Sequence, residues 1–370
     1  MVNFFKRLFS KPTQLIGVEL APEKINIVQV RQQGQKVKLL TLASTEVPEG
    51  IFQESLIYDV PGLAELLKTT LEENKIKIKQ AAAAIPGREA VIRVIPVPAE
   101  LNDIELRDYM NQEAGLYLPF PREEADVDYQ RLGLVVDEDG IEKVQVLLVA
   151  TRKEITDNYI NTFAQAGLQL KVLEVSSFAL IRTIKNQLQQ FAPQEAVVLV
   201  DIEFETTEIA IVVEGVPQFS RTVPIGTFQI QSALSKAMNL PPTRNTDLLQ
   251  GMTIPVAQGD SMQTGITGGM AGTNPGVAAM LRVLGELADE LRRSIDFYLN
   301  QSDNLEVAQL LLAGPGGALG QLDDYFTQRL SFPTTRIDPI EALGLEFEQE
   351  IPEIDRPGLG VALGLGLREL

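Results

Sequence analysis

Two stretches of the chain repeat one alternation of apolar and polar residues. Residues 15–47 read LIGVELAPEKINIVQVRQQGQKVKLLTLASTEV and residues 196–226 read AVVLVDIEFETTEIAIVVEGVPQFSRTVPIG. Each predicts a short apolar strand ending in an acid, a tight turn, a second strand, a Gly-bearing turn and a third strand. Glu19 and Asp201 end the two first strands. A helix is predicted after each meander. The first begins at about Asp59, which can cap it, with Pro61 in its first turn and Leu63, Leu66, Leu67 and Leu71 on one face. The second runs from about 228 to 239. A duplicated meander alone equally fits two all-β hairpin units.

Between the repeats, AAAAIPG (81–87) reads as a fully apolar strand and AVIRVIPVP (90–98) as an alternating one, so the first sheet is expected to continue through both. Residues 99–150 predict a self-contained α/β insertion: a helix capped near Asn102, the segment EAGLYLPFPREEADVDYQRLG, a DEDG turn at 137–140 and the strand KVQVLLVAT. A helix at about 153–166, the strand LQLKVLEV and a helix from Ser176 or Ser177 return to the first unit. The pattern divides the chain into two lobes, 13–192 and 193–370. In the second, residues 241–276 carry the Pro/Gly/Thr richness of a mostly mobile loop, with Met252, Met262 and Met270 as adaptable contacts for a partner and a neutral insertion as the plainer reading. A long amphipathic helix at about 277–301, the strand VAQLLLAG and the turn GPGGALGQL follow. In the closing GLGVALGLGLREL, Gly358, Gly360, Gly364 and Gly366 allow a helix to lie close against another backbone, in a segment too short to span a membrane.

Composition narrows the chemistry. The 370 residues are 45% hydrophobic, enough for two sizeable cores, and include no histidine and no cysteine. Ser-His-Asp catalysis, thiolate nucleophiles, disulfides and cysteine-ligated metals are excluded, leaving carboxylates, Lys/Arg, hydroxyls and backbone. A formal charge of −18, from 50 acidic and 32 basic residues, disfavours binding to nucleic acid by the body of the protein. The opening MVNFFKRLFSKP is the exception, with Phe4, Phe5, Leu8 and Phe9 alternating with Lys6, Arg7 and Lys11. Residues 1–12 fit either peripheral contact with a membrane surface or aromatic packing on the domain. No run approaches the roughly 18–20 apolar residues of a transmembrane helix, so a cytosolic protein is expected.

Three turns are candidates for holding a nucleotide, since phosphates need backbone N–H groups in a tight turn and a bound Mg²⁺ needs oxygen ligands. In the first, Glu19 would stand behind metal-bound water and Lys24 would reach a phosphate. In the second, Asp201 would lie near the metal, beside Glu205, with Thr206 or Thr207 as hydroxyl donors. In the third, Gly314, Gly316 and Gly317 would let an adenosine lie on bare backbone. Each alone is equally a solvated turn or a strand-to-helix turn.

Taken together with AAAAIPGREAVIRVIPVP, YLPFPREEADVDYQ, TTEIAIVVEGVPQFSRTVPIG, LADELRRSIDFY, LLLAGPGGALGQLDDYF and the closing ALGLGLRE, the chain resembles the PilM family over nearly its whole length. These are actin-like components of type IV pilus assembly, similar to the cell-division protein FtsA. The resemblance implies an α/β, two-lobed actin-like fold of duplicated ribonuclease H-like βββαβα lobes, with a small α/β subdomain inserted in the first. It also implies ATP and Mg²⁺ between the lobes, and a groove beside the subdomain for the cytoplasmic N-terminal segment of a PilN-like inner-membrane protein. A place at the inner face of the inner membrane, contacts with pilus assembly ATPases and self-association follow from it as expectations. It puts base or ribose contacts at Arg292 and Arg293, which also fit a solvated helix face paired with Asp289 and Asp296.

Relatives carry an Asp-Ile-Gly type turn in both phosphate positions, whereas this chain has Glu19-Leu20-Ala21-Pro22 and Asp201-Ile202-Glu203-Phe204. Glu203 adds charge and bulk beside a polyphosphate and Pro22 removes an N–H, so lowered ATP affinity is expected. Three functions remain: a scaffold for a PilN-like tail whose shape ATP tunes, an ATPase of the actin/sugar-kinase superfamily that positions water or a hydroxyl through Glu205 or Glu174, and a nucleotide-free structural protein.

Overall fold

The computed structural model describes residues 15–33, 36–137, 139–256, 274–301, 305–348 and 350–368. The opening segment at 1–12, with its expected membrane contact, and Met262 and Met270 lie outside the described residues.

Each meander forms three antiparallel strands. Strands β1 (Ile16–Leu20), β2 (Lys24–Gln33) and β3 (Lys36–Glu46) are followed by a short β4 (Phe52–Gln53) and β5 (Leu56–Ile57) hairpin and the helix Val60–Glu73. Asp59 caps that helix by accepting from the Gly62 N–H at 3.0 Å, as the sequence predicts. Strands β6 (Gln80–Ile85) and β10 (Gln169–Val175) add in parallel, giving the order β10-β6-β1-β2-β3. All five residues of β1 are buried, the continuous apolar run of a strand covered on both faces. Leu63, Leu67 and Leu71, with Ile155, Tyr159 and Phe163 of the helix Lys153–Gln165, cover one of those faces.

The second lobe repeats the plan. Strands β11 (Glu195–Ile202), β12 (Thr207–Val213), β13 (Val216–Val223), β14 (Glu306–Ala313) and β15 (Thr334–Arg336) are ordered β13-β12-β11-β14-β15. The helices Thr227–Ala237 and Pro275–Leu299 bury Ile230, Leu234, Leu284, Leu287, Leu291 and Ile295 against this sheet.

The strand at AVIRVIPVP departs from expectation. Strand β6 is flanked on both sides by β1 and β10, so no edge of the first sheet is free beside it. The chain turns at Gly87–Glu89 and Val91–Pro98 (β7) instead opens a third sheet, order β7-β9-β8, with β8 (Ala125–Val136) and β9 (Glu142–Arg152). Pro96 and Pro98 lack the N–H that a central strand must donate, and β7 is an edge strand. The third sheet therefore begins before the expected boundary at 99. Its helix, Asp103–Glu113, is held by a capping box between Asn102 and Glu105 and buries Leu106 and Met110 on Ile95, Val146 and Leu148.

Two further stretches differ from the sequence reading. Part of the segment expected to be mobile is docked: Leu249 and Ile254 enter the second core, and the Ile254 N–H donates to the Gly320 carbonyl at 2.8 Å. Their apolar signal was diluted by the surrounding Pro, Thr and Gly. The closing helix, Gly360–Gly366, expected within the second lobe, seats on the first sheet through Val361, Leu363 and Leu365. A Cβ at Gly17 would stand 2.5 Å from the Ala362 carbonyl oxygen, and one at Gly364 would stand 2.5 Å from the Ala179 carbonyl carbon. The even glycine spacing thus serves core packing. Thr183 Oγ1 donates to the Gly360 carbonyl at 2.7 Å and Arg182 to the Gly364 carbonyl at 2.9 Å. Among the described residues no helix is long and apolar enough to cross a membrane.

Substituting Gly364→Ala should therefore destabilise the protein by about 1–3 kcal/mol, the range for overpacking. Gly133→Ala, where the added methyl meets nothing within 4 Å, should stay within about 0.5 kcal/mol. Denaturant unfolding of both variants checks this, and a neutral Gly364→Ala would refute the backbone-on-backbone contact.

Candidate functional site: an interlobe cleft and a groove beside the third sheet

The ends of β1, β11 and β14 meet between the lobes, bringing Glu19, Asp201 and Gly314 to one place. A cavity of about 290 Å³ opens there, at the small end of ligand sites, lined by Glu23, Lys24, Phe204, Arg244, Pro315 and Asp355 among others. Glu46 and Asp247 add further acids to its wall.

Beneath it lies a set of buried carboxyls. Burial, reinforced by the charges of Glu208 and Glu19, pushes Asp201 up to about 8, and a hydrogen bond from its Glu203 neighbour opposes the rise. Burial pushes Glu23 up to about 7 and Glu203 well above the usual carboxylate range. Glu19 is raised by burial too, although it accepts from Asn26 Nδ2 at 2.9 Å. Among the described residues, Asp201 Oδ2 and both side-chain oxygens of Glu23 are buried without a partner.

Two backbone donors of the turns are already engaged. The Ala21 N–H donates to the Lys24 carbonyl at 3.0 Å, and the Glu203 N–H donates to the Thr206 carbonyl at 2.9 Å. Pro22 has none to give. Arg244 spans the two turns, its guanidinium 5.0 Å from the Phe204 ring centroid and Nη2 donating to the Pro22 carbonyl at 3.3 Å. On another side Ser55 Oγ donates to Glu205 at 2.9 Å.

A second concavity, about 610 Å³, lies where three bodies adjoin. Leu132 and Leu147 come from the third sheet, Phe178 and Ile181 from the helix Ser176–Thr183 of the first lobe, and Val216 and Pro217 from the β12–β13 hairpin of the second. Lys185 also lines it, as does Arg182, which is held bidentately by Glu174 at 2.6 and 2.7 Å.

The architecture, two duplicated meander lobes with a third sheet inserted in the first, meets a family match of the same extent. The type IV pilus assembly protein PilM family matches residues 17–245 and 282–370. The chain belongs to this family. A solved PilM-PilN type IV pilus biogenesis complex is similar with a TM-score of 0.80 and 24% identity, covering 96% of this chain and 98% of that one. Ethanolamine utilization protein EutJ from Carboxydothermus hydrogenoformans follows at 0.52 and 14%, covering 97% and 90%. MreB 5 of Spiroplasma citri bound to AMPPNP reaches 0.50 and 12%, covering 90% and 96%. The fold is the two-lobed actin-like fold.

Against the ATP and Mg²⁺ site expected of the family, the residues fit only in part. Glu19, Lys24, Asp201 and Gly314 do converge. Thr207 is fully buried and its Oγ1 donates to the Ile225 carbonyl at 2.6 Å, so it offers no hydroxyl; Thr206 contributes its carbonyl to close the turn. The spaces over Gly314 and Gly316 are filled by Asp201 and Ile202, where an added Cβ would stand 2.7 Å from Asp201 Oδ1 and 2.7 Å from Ile202 Cβ, and Gly317 lies against the Leu312 backbone. Gly314 has φ +73, which favours glycine independently of any ligand. Arg292 and Arg293 stand away from the cavity. Arg292 donates to the Arg329 and Leu330 carbonyls at the end of the helix Leu322–Leu330, while Arg293 pairs with Glu290, and Asp289 pairs with Arg329. Among the described residues no three acids are arranged to hold a metal ion. With Glu203 in the second turn, Pro22 in the first and the Ala21 and Glu203 N–H groups engaged, the fit to a polyphosphate is poorer than two glycine turns would give.

Arg244, Ser55 and Glu208 are the residues that sequence reasoning missed. Arg244 sits in the stretch read as mobile, but Glu208 leaves a signal, as an acid inside the otherwise apolar TEIAIVV.

The raised carboxyls fix the sign of the pH dependence. Folded Asp201 and Glu23 retain protons that the unfolded chain releases near pH 4, so their stabilising contribution is complete below that pH and is lost as pH rises through about 7 to 8. Melting temperature should fall between pH 6 and 8.5. Asp201→Asn should flatten the fall and stabilise at pH 8 by at least about 1.4 kcal/mol, one pKa unit's worth. An unchanged slope in thermal scans of that variant would show that Asp201 is not the titrating group.

Proposed function

We propose that the chain is a non-catalytic scaffold of type IV pilus assembly that holds the N-terminal cytoplasmic segment of a PilN-like membrane protein in the groove beside the third sheet. The observation that carries this is the groove itself: a concavity with walls from all three bodies, apolar along Leu132, Leu147, Phe178, Ile181, Val216 and Pro217, and more than twice the volume of the cleft. Family membership and the likeness to a structure whose partner is PilN support it. Among the described residues one edge of β8 is unpaired, and the strand carries Leu132, so an extended segment has both a backbone partner and apolar pockets at hand. Such a partner places the protein at the inner face of the inner membrane. Contacts with pilus assembly ATPases and self-association stay compatible with the surfaces left over.

In this reading the cleft is a joint between lobes. The carboxylates that an ATPase would need to position water are engaged, Glu205 by Ser55 and Glu174 by Arg182. ATP binding that tunes the interlobe angle is the second reading, supported by the convergence of Glu19, Lys24 and Asp201 and opposed by Glu203.

Calorimetric titration of the full chain with a synthetic PilN-like N-terminal peptide should give binding in the micromolar range, about −8 kcal/mol. Leu132→Asp should weaken it at least about tenfold, or 1.4 kcal/mol, without a comparable loss of melting temperature. No binding by the unaltered chain would overturn the scaffold assignment. In the same instrument, Glu203→Gly should raise Mg·ATP affinity by about tenfold or more, since it removes charge and bulk at the turn. An unchanged affinity would show that Glu203 is not the barrier.

A further inference from the structure

Glu208 projects from β12 of the second lobe, directly across the strand pair from Asp201. It is 6% exposed, and its carboxylate is surrounded by donors from different parts of the molecule. Ser220 Oγ on β13 of its own lobe donates to Oε1 at 3.2 Å. Ser176 Oγ, at the start of the helix Ser176–Thr183 of the first lobe, donates to Oε2 at 3.1 Å. The carboxylate also packs on the Gly87 backbone, so closely that a Cβ there would collide with it. Gly87 opens the turn that leads from the first sheet into β7, the root of the third sheet. Strand β13 also packs on that turn and on β7.

The three bodies joined at this carboxylate are those that form the groove. The third sheet brings Leu132 and Leu147, the Ser176–Thr183 helix brings Phe178 and Ile181, and the β12–β13 hairpin brings Val216 and Pro217. A single buried acceptor bonded to the Ser176–Thr183 helix and to β13, and packed on the turn that roots the third sheet, holds the three in one arrangement, because pulling Ser176 or the turn away would cost a buried hydrogen bond or close packing. We propose that Glu208 is the positioning residue that fixes the three walls of the groove against one another and so sets its affinity for an extended peptide. This rests on the groove being the peptide site.

Because the chain has no cysteine, spin labels can be placed by Glu142→Cys on the third sheet and Lys236→Cys on the second lobe, both exposed positions. Pulsed electron–electron distance measurement on the full chain should give one narrow distribution. Glu208→Ala should broaden it or shift it by about 2 Å or more. The same variant should weaken the synthetic PilN-like peptide about tenfold, within the usual span of coupling between sites. Glu208→Gln, which keeps one acceptor oxygen, should fall between. A folded Glu208→Ala with an unchanged distribution would overturn the proposal. Should that variant fail to fold, Ser176→Ala removes one donor only, and an unchanged distribution and peptide affinity in it would overturn the proposal equally. Failure of the unaltered chain to bind the peptide would sink the scaffold reading, while the distance distributions would still decide whether Glu208 holds the bodies together.

Discussion

The contact of β1 with the closing helix is the constraint on which the remaining architecture depends. Gly17 and Gly364 bring strand, helix and the Ser176–Thr183 helix within backbone distance, where no side chain fits. The closing helix is thereby returned to β1, and the second lobe, which lies between them in sequence, is tied down at both ends. Hydrogen bonds from Thr183 and Arg182 to the helix carbonyls replace the side-chain interdigitation that the glycines give up.

That closure forces the ends of β1 and β11, with their acids, into a shared buried space. Isolated charges there would be costly: burial shifts the carboxyls toward their neutral form, and the protein bridges the lobes with its own groups, Arg244 to Pro22, Ser55 to Glu205 and Ser176 to Glu208. A relative with glycine in the second turn would present backbone N–H groups and less negative charge to an incoming phosphate. In this chain the same place carries bonds that join one lobe to the other.

The strands, helices and duplicated plan were readable because period and turn residues agree over long stretches. Asp59, Asn102, the apolar β1 and β11 and the stripe of the Pro275–Leu299 helix all behave as local rules require. What the sequence hid is pairing. Nothing local says that β6 has no free edge, so the exit of β7 into a third sheet had to be seen, although Pro96 and Pro98 hinted at an edge. In the cleft, the order of acids and glycines showed which turns would converge. It did not reveal that Asp201 and Ile202 fill the space above Gly314 and Gly316, or that Arg292 serves as a helix-end donor. Such partners are distant in sequence, and a side chain's commitment depends on who arrives first.

The prolines of β7 have one more effect. With β7 short of donors at Pro96 and Pro98 and packed against β13, the third sheet has one blunt side, and β8 is its open one. Strand pairing through it is consequently a terminating event. Two chains joined β8 to β8 would form a closed twofold pair, and a row of such sheets could not propagate, so this surface admits a partner without offering a template for fibres.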